Sequence, residues 1–523
     1  MRNYLRLFTT LATMTPLSLL LCANVVALDT TEDDYSLKLL GKQVFWDKIS
    51  EPKRMACVTC HDPATGGTGS VSGVNLHQVA ITGANPHTAG SLKPPTNAYA
   101  SFMPVFQECN QGGIGVIDES GVRTRYCGGN FWNGRAEGRS DGPLLGGATK
   151  HIGDEVFQGS LSTDDNGYIL EYAKYFGATA DQALNPMPNI AEQNIERQAV
   201  CEHVAASKYA PLYEVVWGEP IDCSDNAVAI SAPDADVFPE LEFDISFKRL
   251  MLAVCAWQHS SELNSFSSRR DAALRAELAC LAGAADADPA VCGHENYVDS
   301  PGTFPLAGFT DQENLGHDLF YNTAFPRGEP PFPELPVTNC SFCHTSDTDH
   351  SDGTGLLELY ADAAYHNIGT PVNPELPAAP DAGISGHAQK EDQKGGFRTP
   401  TLRNVDKRKG NGFTKAYTHN GWFKSLESIV HFYNTSAIGG DTAISFGVTR
   451  CDGLVTEKSA LADNCWPEAE WPDTVSSTRL VGNIGMSLEQ EAAVVAYLKT
   501  LTDTVTLTAP APYKAPKRAG ERR

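Results

Sequence analysis

The frame Cys-x-x-Cys-His stands twice in the 523-residue chain, as Cys57, Cys60 and His61 and again as Cys340, Cys343 and His344. Few short patterns restrict a fold so strongly. The two thiols of such a frame add across the vinyl groups of haem, and the adjoining histidine turns back to ligate the iron. A covalently fixed ring tolerates a loop-rich surround. With 14 cysteines and 14 histidines in the chain, chance gives about 0.01 such frames. Zinc would bring a second cysteine pair close to each frame, and a redox dithiol a strand–helix context; the sequence has neither. Two covalently bound c-type haems are the expected cofactors.

The chain is long enough for two or three domains, each with its own core. Acidic residues outnumber basic ones by 64 to 40, a net charge of −24, which argues against nucleic acid as a partner and leaves room for a protein with a basic face. At the N-terminus Arg2 and Arg6 precede an apolar run from Leu7 to Leu21, and Val25-Val26-Ala27 offers a small-residue cleavage site. Residues 1–27 read as a secretory signal. An uncleaved anchor is the alternative, weakened by Pro16 and the threonines within the run. No other apolar run is long enough to span a bilayer, so the chain is expected to be periplasmic, with no membrane span once the signal is removed.

Export bears on the remaining cysteines. Sequence neighbours pair into four short loops, 109–127, 201–223, 280–292 and 451–465. Disulfides across loops this short contribute about 3 kcal/mol each and suit an oxidising compartment. Cys255 is left over inside the apolar run FKRLMLAVCAWQ and reads as a buried free thiol. Helical periodicity is clear at 244–258 and at 425–433. It is clear again at 487–501, where Ser487 and Gln490 form a capping box. Residues 62–98, 325–355 and 369–396 read as loop. The fold expected is mainly α, with two cytochrome c-like haem domains, long loops and disulfide-bearing insertions. The boundaries expected are 28–270 for the N-terminal domain, 271–305 for a linker or insertion, 306–507 for the C-terminal domain and 508–523 for a disordered tail.

From FWNGRA (131–136) onward the sequence resembles the bacterial di-haem cytochrome c peroxidases and their MauG-type relatives. Those proteins carry FWDGRA, and Asn133 replaces the aspartate. DQALNPMPNIAEQN resembles their Gln-Ala…Pro…Glu-Met segment, with Gln193 where methionine is usual. GGFRTPTLRNV (395–405) is similar to FKVPTLRNV, AYTHNGWFKSLESIVHFYN (416–434) to PYFHDG…LEEAVxFY, and the terminal MSLEQEAAVVAYLKTLT also matches. The likeness covers most of 40–503, with extra segments near 107–128, 140–180 and 275–305.

The resemblance implies roles. Trp132 matches the tryptophan between the haems; the bland reading is a core indole. Glu192 matches the acid that moves a proton between the two oxygens of peroxide, a task suited to a carboxyl whose pKa is raised beside an apolar ring; otherwise it is a solvated residue opening a helix. Gln182 and Pro186 would line the same pocket. Tyr433 stands where the peroxidases place methionine and MauG-type proteins tyrosine, so the second haem would be ligated by His344 and Tyr433, with Met486 as the rival ligand. A phenolate lowers the potential that a thioether would raise. The first haem would be ligated by His61, with His77 capping its far side as in the peroxidases, His87 a rival, and no such ligand in MauG-type relatives. The family also holds calcium between the haems; here Lys93 stands where an asparagine is expected, with Asn97 nearby, which makes calcium a poor match.

Together these residues lead to an expected periplasmic di-haem c-type peroxidase that reduces hydrogen peroxide to water. Its electrons would come from an external small redox protein, a cytochrome c or a cupredoxin. One alternative is a MauG-type enzyme that oxidises residues of a partner protein. The other is a non-enzymatic di-haem electron carrier.

Overall fold

Each cysteine frame follows a helix whose packing partner lies far downstream. Glu32–Trp46 precedes the first frame and packs along Glu242–Gln258; Asp311–Tyr321 precedes the second and packs along Leu488–Lys499. Both pairs cross at a glycine. A Cβ on Gly41 would stand 1.8 Å from the Ala253 carbonyl oxygen, and one on Gly316 2.0 Å from that of Ala493. Backbone meets backbone at each crossing, and no larger residue fits. In this computed structural model the residues described are 32–109, 125–138, 172–227, 241–293, 305–324, 329–346, 355–475 and 481–514. The expected signal and the end of the tail lie outside them.

The fold is mainly helical. Its strands are three two-stranded pairs among the described residues: Gln107–Cys109 with Arg125–Cys127, Tyr365–His366 with Phe397–Arg398, and Thr449–Arg450 with Cys465–Trp466. Local signals fix the helix starts of the second pair. Ser487 Oγ accepts the Gln490 amide while the Gln490 side chain accepts that of Ser487, and Thr310 and Glu313 form the same box ahead of the other helix of that pair. Glu242–Gln258 departs from the one-faced helix its periodicity predicts. Every residue from Ile245 to Gln258 is buried, because the helices Ala178–Ala183 and Arg197–Ala205 cover its second side.

The hydrophobic core divides between the two helix pairs. One cluster runs from Leu37 to Phe266 and the other from Leu274 to Leu501. Hydrogen bonds and ion pairs join them, among the latter Lys409 with Asp62 at 2.5 Å. Tyr99 Oη donates to Asp503 Oδ2 at 2.7 Å. Thr414, in the second half, donates its amide to Ser72 Oγ and accepts at its carbonyl from Asn75 Nδ2. Within the second half, Arg403 pairs both terminal nitrogens with Asp271, at 2.8 and 3.0 Å, where neither side chain is exposed.

The cysteine pairs 109–127, 201–223, 280–292 and 451–465 are bonded, and Cys255 is a buried free thiol. The described part of the tail is docked against the first core, unlike the free segment its composition predicts. Gln43 Nε2 donates to the Ala511 carbonyl, and Tyr513 packs on the cluster. Among the described residues no helix is long and apolar enough to cross a membrane.

Candidate functional site

Two cavities occupy the two halves, and each has a cysteine frame in its wall. In the first, the short helix Cys57–Cys60 carries both thiols, and His61 closes it by donating its amide to the Cys57 carbonyl at 3.0 Å. His61 Nδ1 faces the Gly67 carbonyl at 3.1 Å. That contact makes Nδ1 the protonated nitrogen and leaves Nε2 as the ligating atom. Burial, with a smaller push from Glu192, raises the thiols of Cys57 and Cys60 to about 12.

Glu192, Gln182 and Pro186 line the same cavity. Glu192 sits in a turn that ends before the helix Arg197–Ala205 begins, rather than at a helix start. Its carbonyl accepts the Ala84 amide at 2.6 Å, tying the turn to the loop beyond the first frame. Its Oε1 accepts the Asn189 side-chain amide at 2.7 Å. Burial lifts the Glu192 carboxyl above the usual carboxylate range, opposed by the Arg135 guanidinium and by the Asn189 hydrogen bond. Arg135 lines this cavity as well, stacked 3.7 Å over the Phe131 ring.

The second cavity repeats the pattern. Helix Cys340–Cys343 ends at His344, whose Nδ1 faces the Tyr360 carbonyl at 3.0 Å, again leaving Nε2 as the ligand atom. Tyr433, on the helix Leu426–Thr435, and Met486 both line this cavity, so both expected far-side ligands reach the same wall. Asn434 fixes the Met486 backbone, donating to its carbonyl at 2.8 Å and accepting its amide at 3.0 Å. Burial holds the Tyr433 hydroxyl well above its ordinary value, with the neighbouring Cys343 and Cys340 adding to the shift. Cys343, Asp362 and His366 form the one trio spaced for a metal ion among the described residues. A Cys343 tied into a thioether would leave that trio with two members.

Trp132 lies between the cavities, lining both while itself only 7% exposed. Its Nε1 donates to the Lys93 carbonyl at 2.7 Å, and its own carbonyl accepts the Arg398 amide at 2.9 Å. The indole is thus pinned from both halves. His77 belongs to neither cavity. It ends the helix Ser72–His77 with its side chain 76% exposed, 3.8 Å from Glu375. Asn75, bonded to the carbonyls of Gly69 and Thr414 and accepting Lys424 at its own, holds the segment against the second half. His87 lines neither cavity either. Among the described residues the first cavity's wall contains no histidine besides His61, though Met55, Met187 and Met251 are part of it.

The wall residues unassigned from sequence include four cations, Arg135, Arg398, Arg403 and Lys415. Arg135 sits inside the quoted FWNGRA motif. Arg398 and Lys415 sit in or beside the other quoted stretches, but nothing local marks a lysine or arginine as cavity-facing.

Each cavity therefore offers two cysteines and one imidazole with its tautomer set, a donor set that fits a haem. A helical chain with two such cavities has a place for two haems. The di-haem cytochrome c peroxidase family model matches residues 36–279. Methylamine utilization protein MauG from Paracoccus denitrificans is 25% identical over 505 residues, which is 94% of this chain and 95% of that protein. Among solved structures, the diheme peroxidase BthA from Burkholderia thailandensis and a tyrosine-to-methionine variant of it superpose with TM-scores of 0.55 and 0.56, each at 22% identity, covering 91% of this chain and 88% of theirs. The chain is thus similar to the di-haem cytochrome c peroxidases and to MauG, proteins of a family that takes two haems.

Proposed function

We propose that the protein is a periplasmic c-type peroxidase that reduces hydrogen peroxide to water with electrons from an external small redox protein. A single observation carries the proposal: a carboxyl with raised proton affinity, Glu192, shares a cavity wall with Cys57, Cys60 and His61. Cys57 and Cys60 would tether one haem, with His61 on its iron. Cys340 and Cys343 would tether the other, with His344 and Tyr433 on its iron. When bound, the haems supply the electrons that cleave the O–O bond.

The protein's own groups handle protons and position. Glu192 takes the proton from the near oxygen of peroxide and returns it to the far oxygen, which departs as water. Asn189 and Arg135 keep the ionised form of Glu192 within reach. Gln182 and Pro186 shape the same wall. Trp132, held by Lys93 and Arg398, places an indole between the two cavities as an electron path. Two core clusters support haem domains near 28–270 and 306–507, with helix Arg269–Leu281 packed through Leu274 on the second core rather than standing apart as a linker. The N-terminal apolar run and the four bonded cysteine pairs support the periplasm.

Tyr433 on the second wall favours the MauG-type reading, in which the oxidising power is spent on residues of a partner protein. Peroxide consumption with a reduced cytochrome c or cupredoxin, measured for the intact protein and for Glu192→Gln, separates the readings. The expected result is turnover that falls 10²- to 10⁴-fold in the variant, roughly the contribution of general acid–base catalysis. No turnover with any donor, together with peroxide-dependent oxidation of a co-purified protein, would transfer the assignment to the partner-oxidising enzyme. Two six-coordinate irons indifferent to peroxide would leave only an electron carrier.

A further inference from the structure

The partition between the cavities holds buried positive charge that proton handling does not use. Lys93 lines both cavities at 8% exposure, and among the described residues its ammonium donates only to Thr68 Oγ1 at 3.0 Å and the Pro94 carbonyl at 3.2 Å. Lys415, 5% exposed on the second cavity, points its ammonium among the carbonyls of Thr65 at 2.9 Å, Asn404 at 2.8 Å and Lys407 at 3.4 Å. Arg398, also buried on that wall, donates its Nε to the Phe131 carbonyl at 3.3 Å.

Among the described residues none of the three has a carboxylate within 4.0 Å. Asp406, which acts on Lys415 electrostatically, is paired with Arg408 at 2.9 Å. Taking an ion out of water without a counter-charge costs several kcal/mol. Three such cations on one wall of a chain whose net charge is −24 call for anions that the polypeptide does not provide. Burial alone lowers the Lys93 ammonium to about 8, as expected of a cation waiting for its partner.

Resting on the di-haem reading above, we propose that Lys93 and Arg398 bind the propionate carboxylates of the two haems, while Lys415, its three ammonium hydrogens already given to carbonyls, takes the place of a bridging metal ion between them. Each haem carries two carboxylates, so the anions come with the cofactors. The arrangement is hostile to calcium. A hard divalent ion needs a shell of oxygens, and the carbonyl cage of Thr65, Asn404 and Lys407 is already filled by the Lys415 ammonium. The Asn97 side chain, buried and with no hydrogen-bond partner among the described residues, lies across from it: adjacent Gly66 and Gly67 face Lys415 Nζ and Asn97 Oδ1. Any ion coordinated there would meet positive charge.

The test uses the haem-loaded protein, with haem content read first by its pyridine haemochrome. Absence of haem defeats the di-haem reading itself. With haem present, metal analysis is expected to find no stoichiometric calcium, and EDTA to leave both midpoint potentials in place. Lys93→Met is expected to shift both potentials to more negative values, because losing a cation beside bound carboxylates favours the oxidised iron. Lys415→Met should shift the second haem alone, and Lys93→Arg should stay near the parent. Both haems attached with both potentials unmoved in Lys93→Met overturns the proposal. So does stoichiometric calcium in the parent protein, a measurement that stands even if the methionine variants fail to accumulate.

Discussion

Asn189 donates the one side-chain hydrogen bond that Glu192 receives among the described residues, at 2.7 Å to Oε1. A hydrogen bond to a charged group contributes about 1.5–3 kcal/mol, and 1.36 kcal/mol corresponds to one pKa unit. Removing it in Asn189→Ala withdraws support from the ionised carboxylate and so raises the Glu192 pKa further, less so where cavity water replaces the lost donor. Glu192 must be ionised to accept the peroxide proton, so the rate rises with pH as it deprotonates. The ascending limb of kcat/KM for peroxide should therefore move about one unit to higher pH, with the plateau close to the parent value because the acid itself is retained. Asn189 Oδ1 also accepts the Ala191 amide at 2.9 Å, so Asn189→Ser, which can still accept from that amide, serves as the control for the turn. An ascending limb that stays where the parent has it would refute Glu192 as the proton acceptor.

Other outcomes follow from the same geometry. Tyr433→Met should raise the potential of the second haem in spectroelectrochemical titration, and an unchanged potential would pass the ligand role to Met486. Asp271→Asn should cost about 3–5 kcal/mol in chemical denaturation, because Arg403 loses its buried partner. Burial alone would raise the Asp271 carboxyl, but Arg403 and Ser268 hold it below its ordinary value. That stability is therefore present above the unfolded carboxylate pKa and is lost as pH falls through the depressed folded one, so the difference between parent and variant should shrink in acid. Glu192 has the opposite sign. Its folded pKa is raised, so ionisation weakens the fold as pH climbs through that value. Glu192→Gln should melt higher than the parent at neutral pH while losing turnover; a lower melting temperature would contradict the burial of that carboxyl.

What could be read from the chain was local chemistry. The frames, the capping box at Ser487 and the four neighbouring cysteine pairs rest on fixed spacings within a short stretch of chain, while Glu192, Trp132 and Tyr433, which line the cavities, were singled out by the family resemblance. What escaped depends on distance in sequence. Lys93 and Lys415 meet only because the loop after the first frame folds against the stretch around Thr414. Lys415 gives no sign in its own neighbourhood that three carbonyls await it. The two-sided burial of Glu242–Gln258 likewise comes from helices that cover it from outside. His77 shows the limit of spacing as a guide. It stands at the matching interval from His61, yet the Asn75 and Lys424 bonds turn its segment toward Glu375 and away from the cavity.

The most direct test is one visible and EPR spectrum of the purified protein, recorded before and after a single equivalent of hydrogen peroxide. The expected result is two c-type haems per chain, with a high-spin ferric signal that disappears on addition. Colourless protein, or two low-spin irons untouched by peroxide, would contradict it.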